Sequence, residues 1–230
     1  MSNVVFDLND VSKIFGTDKE IQVHALDKVS LKIEEGEFTA IVGPSGSGKT
    51  TLLNIMSALD NPSLGEIILA GKNISKMSGG ELSNFRRDHI GFVFQSYNLI
   101  PVLTVKENIE YVMNLQGVSQ QERNTRVETV LKEVGLEGKG DRLPTQLSGG
   151  QQQRVAVARA LVTNPDIILA DEPTANLDSV TGASLMNLML ELNKNHNVTI
   201  IYTTHDEEMM KLARKIVRLK DGKLDKIDIS

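Results

Sequence analysis

Three short stretches of this chain are apolar almost throughout: Phe38–Val42, Ile167–Ala170 and residues 198–202. They are rich in β-branched residues and bounded by turn residues. Each is followed by a segment that can be helical. Unbroken apolar runs of this length fit parallel strands buried on both faces, and alternation with helices predicts a layered α/β core. The opening is patterned differently. Residues 4–8 and 30–33 alternate apolar and polar positions, as expected of an antiparallel flank with one face in solvent. That strand-rich opening closes at Gly36.

From about residue 105 to 135 the pattern changes again. Glu, Gln, Lys, Leu and Val dominate, and proline is absent. Two or three helices are predicted, the clearest over 119–134, where Ser119 and Glu122 have the spacing of a capping box. This region reads as a helical insertion carried by the α/β core. One short echo occurs along the chain: Ser78-Gly79-Gly80-Glu81 and Ser148-Gly149-Gly150-Gln151. The first is read as a plain capping box opening a helix over 82–87. No Gln-rich, Arg-bearing helix follows it.

Composition removes several function classes. Charged residues make up 24% of the 230 residues, the net charge is -5, and no block of like charges offers a face for nucleic acid. There is no cysteine, which excludes disulfides and thiolate zinc sites and fits a reducing compartment. No run approaches the ~18 apolar residues that span a bilayer, and residues 1–10 lack the pattern of a signal peptide. A role at a membrane would therefore require a partner.

The candidate chemistry begins where the first buried strand ends. Gly43-Pro44-Ser45-Gly46-Ser47-Gly48-Lys49-Thr50 fits G-x-x-x-x-G-K-[ST] and leads into the helix-like run that starts at Thr51. Glycines let successive N–H groups converge on an anion, and the helix start adds its positive end. Lys49 is expected to reach the β- and γ-phosphates, and the Thr50 hydroxyl to ligate Mg²⁺. Asp171-Glu172 follows the second buried strand, at the end of a doubly wound sheet where ligands sit. Asp171 suits Mg²⁺, and Glu172 suits polarisation of an attacking water.

A second anion site is predicted elsewhere. Val155, Ala158, Leu161 and Val162 recur at helical spacing, so a helix starts at Leu147-Ser148-Gly149-Gly150-Gln151 with free amides and a hydroxyl. The chain thus offers two phosphate-binding helix starts but a single Lys, Mg²⁺ and carboxylate set.

These motifs, in this order, resemble those of the ABC-family ATPases. Gln95 after Gly91-Phe92-Val93-Phe94 matches the family's Q-loop, Ala175-Asn176-Leu177-Asp178 its D-loop, and His205 its switch histidine. The resemblance spans nearly the whole chain. It implies one ABC ATPase domain over 1–230, a three-layer P-loop NTPase core with an antiparallel β flank. Residues 1–95 and 160–230 would form the nucleotide-binding core, and 96–159 a helical signature subdomain. It also implies a head-to-tail dimer in which each ATP lies between the phosphate loop of one copy and the signature of the other. In that arrangement Gly43, Ser45, Gly46, Ser47, Gly48, Lys49, Thr50 and Thr51 cradle the nucleotide. Ser148, Gly149, Gly150 and Gln151 face the partner's γ-phosphate, and Asp178 lies at the seam. Glu172 would be the catalytic base, His205 would contact the γ-phosphate, and Gln95 would sense Mg²⁺ and the attacking water. Phe15 would stack on adenine where the family more often has Tyr, or be an ordinary core or surface aromatic. His24, His89 and His196 read as ordinary surface or core histidines, and Met209-Met210 as packing.

Ser57-Ala58-Leu59-Asp60-Asn61-Pro62, the segment from Phe85 to Gln95, and Asn98-Leu99-Ile100-Pro101 look like the branch serving lipoprotein release and macrolide or peptide export. The short sequence after Lys223 leaves no room for the C-terminal regulatory domain of some importers. The expected partners are a second copy and transmembrane permease subunits, at the cytoplasmic face of the membrane, with 95–102 and the helix after it as the docking surface. Three rivals remain at this point. A DNA- or ribosome-directed ABC ATPase usually carries two cassettes or a long coiled coil between the two motifs. A different P-loop enzyme is the second: a GTPase would need N-K-x-D, which Asn193-Lys194-Asn195-His196 lacks, and a small-molecule kinase would not need the signature. A pure ATP-holding module would not need Glu172 and His205.

Overall fold

The computed structural model describes residues 4–16 and 22–229. Two long strands open it, β1 (Val4–Phe15) and β2 (Val23–Glu34). They pair antiparallel, and with β4 (Leu64–Leu69) and β5 (Lys72–Asn73) they form a four-stranded sheet in the order β2-β1-β4-β5. The alternation in the sequence identified only the two ends of this hairpin. The reason is a break in register between Leu8 and Val11, where Asp10 adopts φ 49° and Lys28 on the facing strand also adopts φ 49°. Ser30 Oγ donates to Asp10 Oδ1 and accepts from the Asp10 N–H, which holds the irregularity in place. A bulge of this kind shifts the apolar period, so the strand runs on while its pattern does not.

The second sheet has six strands in the order β10-β9-β3-β8-β7-β6. They are β3 (Phe38–Val42), β6 (Ile90–Val93), β7 (Ile167–Ala170), β8 (Thr199–Thr203), β9 (Lys215–Lys220) and β10 (Lys223–Ile229). All neighbours run parallel except β9 and β10, which form a hairpin. β8 lies one residue later than its apolar run suggests. Each central strand feeds two cores. Phe38, Ala40, Ile168, Ala170, Ile200 and Tyr202 face one side, while Ile41, Ile167, Leu169 and Ile201 face the other. This accounts for the unbroken apolar runs.

One side of the sheet is covered by the antiparallel flank with α1 (Lys49–Met56) and α2 (Gly79–His89). The other is covered by α3 (Val105–Leu115), α4 (Gln120–Glu133), α5 (Gly149–Leu161) and α6 (Ser179–His196). The three layers are those of the P-loop α/β architecture. A short α7 (Glu207–Met210) follows β8. Ser119 caps α4 by accepting from the Glu122 N–H, but Glu122 turns its carboxylate to Arg126 at 2.5 Å, so only half of the expected box forms. A complete box that the sequence also encodes, Thr104 with Glu107, starts α3. Among the described residues no helix is long and apolar enough to cross a membrane.

Candidate functional site

The carboxyl ends of β3, β7 and β8 converge on a cavity of about 590 Å³. Its lining includes Gly43, Ser45, Gly46 and Gly48 from the loop after β3, Lys49, Thr50 and Thr51 from the start of α1, Glu172 after β7, and His205 after β8. A cavity of the same volume lies at the opposite strand ends, lined among others by Glu35, Asp166 and Asn197. Only the first holds a converging set of amides, a lysine and a carboxylate, and it lies on the side of the sheet where α/β folds bind ligands.

The loop is shaped by local geometry. Gly48 caps α1 at φ 100°, and a Cβ there would lie 2.5 Å from the Ala25 carbonyl oxygen, so only glycine fits. Lys49 Nζ donates to the carbonyls of Gly43 at 2.8 Å and Pro44 at 3.0 Å, spanning the loop. The Gly222 N–H, in the turn between β9 and β10, donates to the Ser47 carbonyl at 3.1 Å. That turn therefore braces the loop, and Asp221 and Gly222 line the cavity. The Ser47 side chain points inward, with its buried Oγ unpartnered among the described residues. Only its backbone can serve the cradle.

The carboxylates are organised by β8. The fully buried Thr203 hydroxyl donates to Asp171 Oδ1 at 2.8 Å and accepts from the Glu172 N–H at 2.8 Å. Glu172 itself sits at φ 42°, a left-handed conformation uncommon for a residue with a side chain. His205 is 72% exposed, with Nδ1 3.4 Å from Glu172 Oε1. Thr50 at the helix start lines the cavity and Asp171 at the strand end lies outside its lining; both carry hard oxygen atoms of the kind Mg²⁺ takes. Sequence reasoning did not single out Thr203, and an isolated threonine in a buried strand carries no signal of such a role.

Other expected residues lie outside this cavity. Gln95 is exposed after β6, and its carbonyl accepts from Asn176 Nδ2 at 3.0 Å. Phe15 ends β1 opposite Val23, which lines the cavity, but its own ring is 46% exposed with Lys13 Nζ 5.1 Å above it. His24, read from the sequence as an ordinary histidine, lines the cavity. His89 and His196 pair with Asp166 and Glu133. Ser148 is exposed and caps α5 through a complete box with Gln151. At Gly150, the second residue of α5, a Cβ would meet Thr181 Cγ2 at 2.3 Å, so a side chain there would force Thr181 to move. Asp178 caps α6, and the Thr181 hydroxyl and backbone N–H groups hold its carboxyl below the usual range. None of the α5-start residues lines the cavity that contains Lys49.

Residues 26–175 match the sequence profile of a family described as ABC transporter. The chain belongs to the ABC transporter family, as an ATP-binding subunit. Relatives include an uncharacterised ABC transporter ATP-binding protein, MJ0796, from Methanocaldococcus jannaschii, 47% identical across 95% of this chain and 94% of that protein. A macrolide export ATP-binding/permease protein, MacB, from Marinobacter nauticus is 45% identical over 96% of this chain but only 34% of its own length. Among solved structures, MJ0796 as a dimeric post-hydrolysis state bound to ADP and Pi superposes with a TM-score of 0.88 at 44% identity, covering 97% of this chain and 98% of that one. As an ABC ATPase, the chain uses ATP with Mg²⁺, and its family sets the GTPase rival aside.

Proposed function

We propose that two copies of this chain close head to tail around two ATP molecules and couple hydrolysis to movement of membrane-embedded permease subunits. One observation carries this reading. The start of α5, with its free amides and Ser148, is exposed and outside the cavity that gathers Lys49, Thr50, Glu172 and His205. A single copy cannot bring both anion sites to one phosphate. The relative solved as a dimer bound to ADP and Pi supports pairing of two copies.

In this reading the loop amides and Lys49 hold the β- and γ-phosphates, while Ser148 and Gly150 of the second copy close over the γ-phosphate. Asp178 lies at the seam. Thr50 and Asp171 would hold Mg²⁺, which would neutralise charge on the phosphate oxygens, and Gln95 would contact the ion and the attacking water. Glu172 takes a proton from the attacking water, whose oxygen bonds to the γ-phosphorus as the bond to the bridging oxygen of ADP breaks. His205 holds the γ-phosphate in line. Catalysis is chiefly positioning and charge stabilisation. Phe15 and His24 flank the base end of the cleft.

Residues 96–159 act as the signature subdomain. A groove of about 350 Å³ lies between it and the core, lined by Arg86, Phe92, Phe94, Asn98 and Leu115 among others. Together with Val102, 80% exposed, it is the surface for a permease at the cytoplasmic face. The relatives named for macrolide and pyoverdine export favour an export or envelope role for this chain. The test is the Glu172→Gln chain with Mg·ATP in light scattering. Accumulation of a dimer with two bound nucleotides is expected, and a persistent monomer overturns the proposal.

A further inference from the structure

Residues 94–98 join β6 to the docking segment without forming strand or helix; inside the segment the Phe94 carbonyl accepts from the Tyr97 N–H at 3.2 Å and the Ser96 carbonyl from the Asn98 N–H at 2.6 Å, and further partners come from elsewhere. The side chains that answer come largely from one helix. Arg159 on α5 donates to the carbonyls of Tyr97 at 3.0 Å and Asn98 at 2.6 Å. Gln153, also on α5 and fully buried, donates to the Phe94 carbonyl at 3.2 Å and to the Pro173 carbonyl at 2.8 Å. Two acceptors on one side fix which end of the amide faces them.

Phe94 immediately precedes Gln95, and Pro173 immediately follows Glu172. A single amide thus ties together the backbones next to the two residues that the proposed function places at the attacking water. It does so from the helix whose first turn, at Ser148, is proposed to grip the nucleotide of the other copy. Gln153 Oε1 is buried with no partner among the described residues. An unpartnered buried acceptor is costly, and a position selected for packing alone would carry an apolar side chain.

We propose that Gln153 is a positioning residue that couples the two nucleotide sites of the dimer. When the start of α5 engages the partner's phosphate, the helix moves as a rigid unit. Gln153 carries that displacement to Gln95 and Glu172 of its own copy, so each site is assembled only as the other closes. This rests on the roles assigned above to Ser148, Gln95 and Glu172.

The test is Gln153→Met in the full chain, which keeps the side-chain volume and removes both donors. ATP affinity should stay within about twofold of the parent, while kcat falls about tenfold. The Hill coefficient for ATP should fall from above 1 in the parent to about 1. A parent Hill coefficient of 1, or a variant that keeps both kcat and the parent's coefficient, overturns the proposal. Hydrogen exchange of the Glu172→Gln chain supplies a second reading without any change at Gln153. Residues 94–98, 172–176 and the first turn of α5 should gain protection at one shared ATP midpoint, and separate midpoints overturn the coupling. Parental hydrolysis by Glu172→Gln would instead remove the base assignment, so the two failures are distinguishable.

Discussion

Lys49, Glu172 and Asp178 are each fixed by neighbours whose contributions can be separated by experiment. Lys49→Ala removes the cation that spans the phosphate loop, and nucleotide affinity should fall at least tenfold in isothermal titration. Glu172→Gln keeps the shape of the site and removes the proposed proton acceptor. Its kcat should fall by about 10²- to 10⁴-fold in a phosphate-release assay, with ATP binding retained. Asp178 has a carboxyl held low by Thr181 and the first amides of α6. Its folded pKa lies below the unfolded one. Its contribution is therefore full above the ordinary aspartate range and is lost as pH falls through the depressed value. Asp178→Asn should make acid unfolding less steep on that side, as followed by circular dichroism.

Two helices begin with the same device. Ser78 and Ser148 have nearly identical cap conformations, φ -66° with ψ 161° and φ -66° with ψ 160°, and both complete a capping box. Each Ser→Ala change should cost about 1 kcal/mol of stability through the lost cap. Only Ser148→Ala should also lower kcat in steady-state assays, because only that helix start is proposed to meet a partner's phosphate. Local sequence could not separate the two on capping grounds. The distinction came from Gln153, Arg154 and Arg159 downstream, and the structure places those side chains against the carbonyls of Phe94, Val134 and Asn98. The buried strands were legible because each must satisfy a core on both faces. The full length of β1 was not, because the bulge at Asp10 breaks its period. The strand-end cavity followed from motifs contiguous in sequence. The bracing by Gly222, the bridge of Thr203 and the cavity position of His24 arise from strand order, which no local pattern encodes.

At the scale of the whole molecule, the segment 95–102 leaves the carboxyl end of β6, which runs parallel to β7, so the cavity and the proposed docking segment both start from the same strand ends. Val102→Asp places a charge on an apolar, 80% exposed position outside the cavity lining. Hydrolysis and nucleotide-driven pairing of the isolated chain should be unchanged, while recovery with a permease from detergent-solubilised membranes should be lost. Retained recovery would move the docking surface elsewhere.

Glu172 occupies a backbone shape that suits asparagine or glycine better than glutamate. Glu172→Asn should therefore melt at a higher temperature than the parent while releasing almost no phosphate. Any selection of this protein for heat resistance alone would discard the side chain proposed as its base early, and the survivors would be sturdier proteins that no longer turn over.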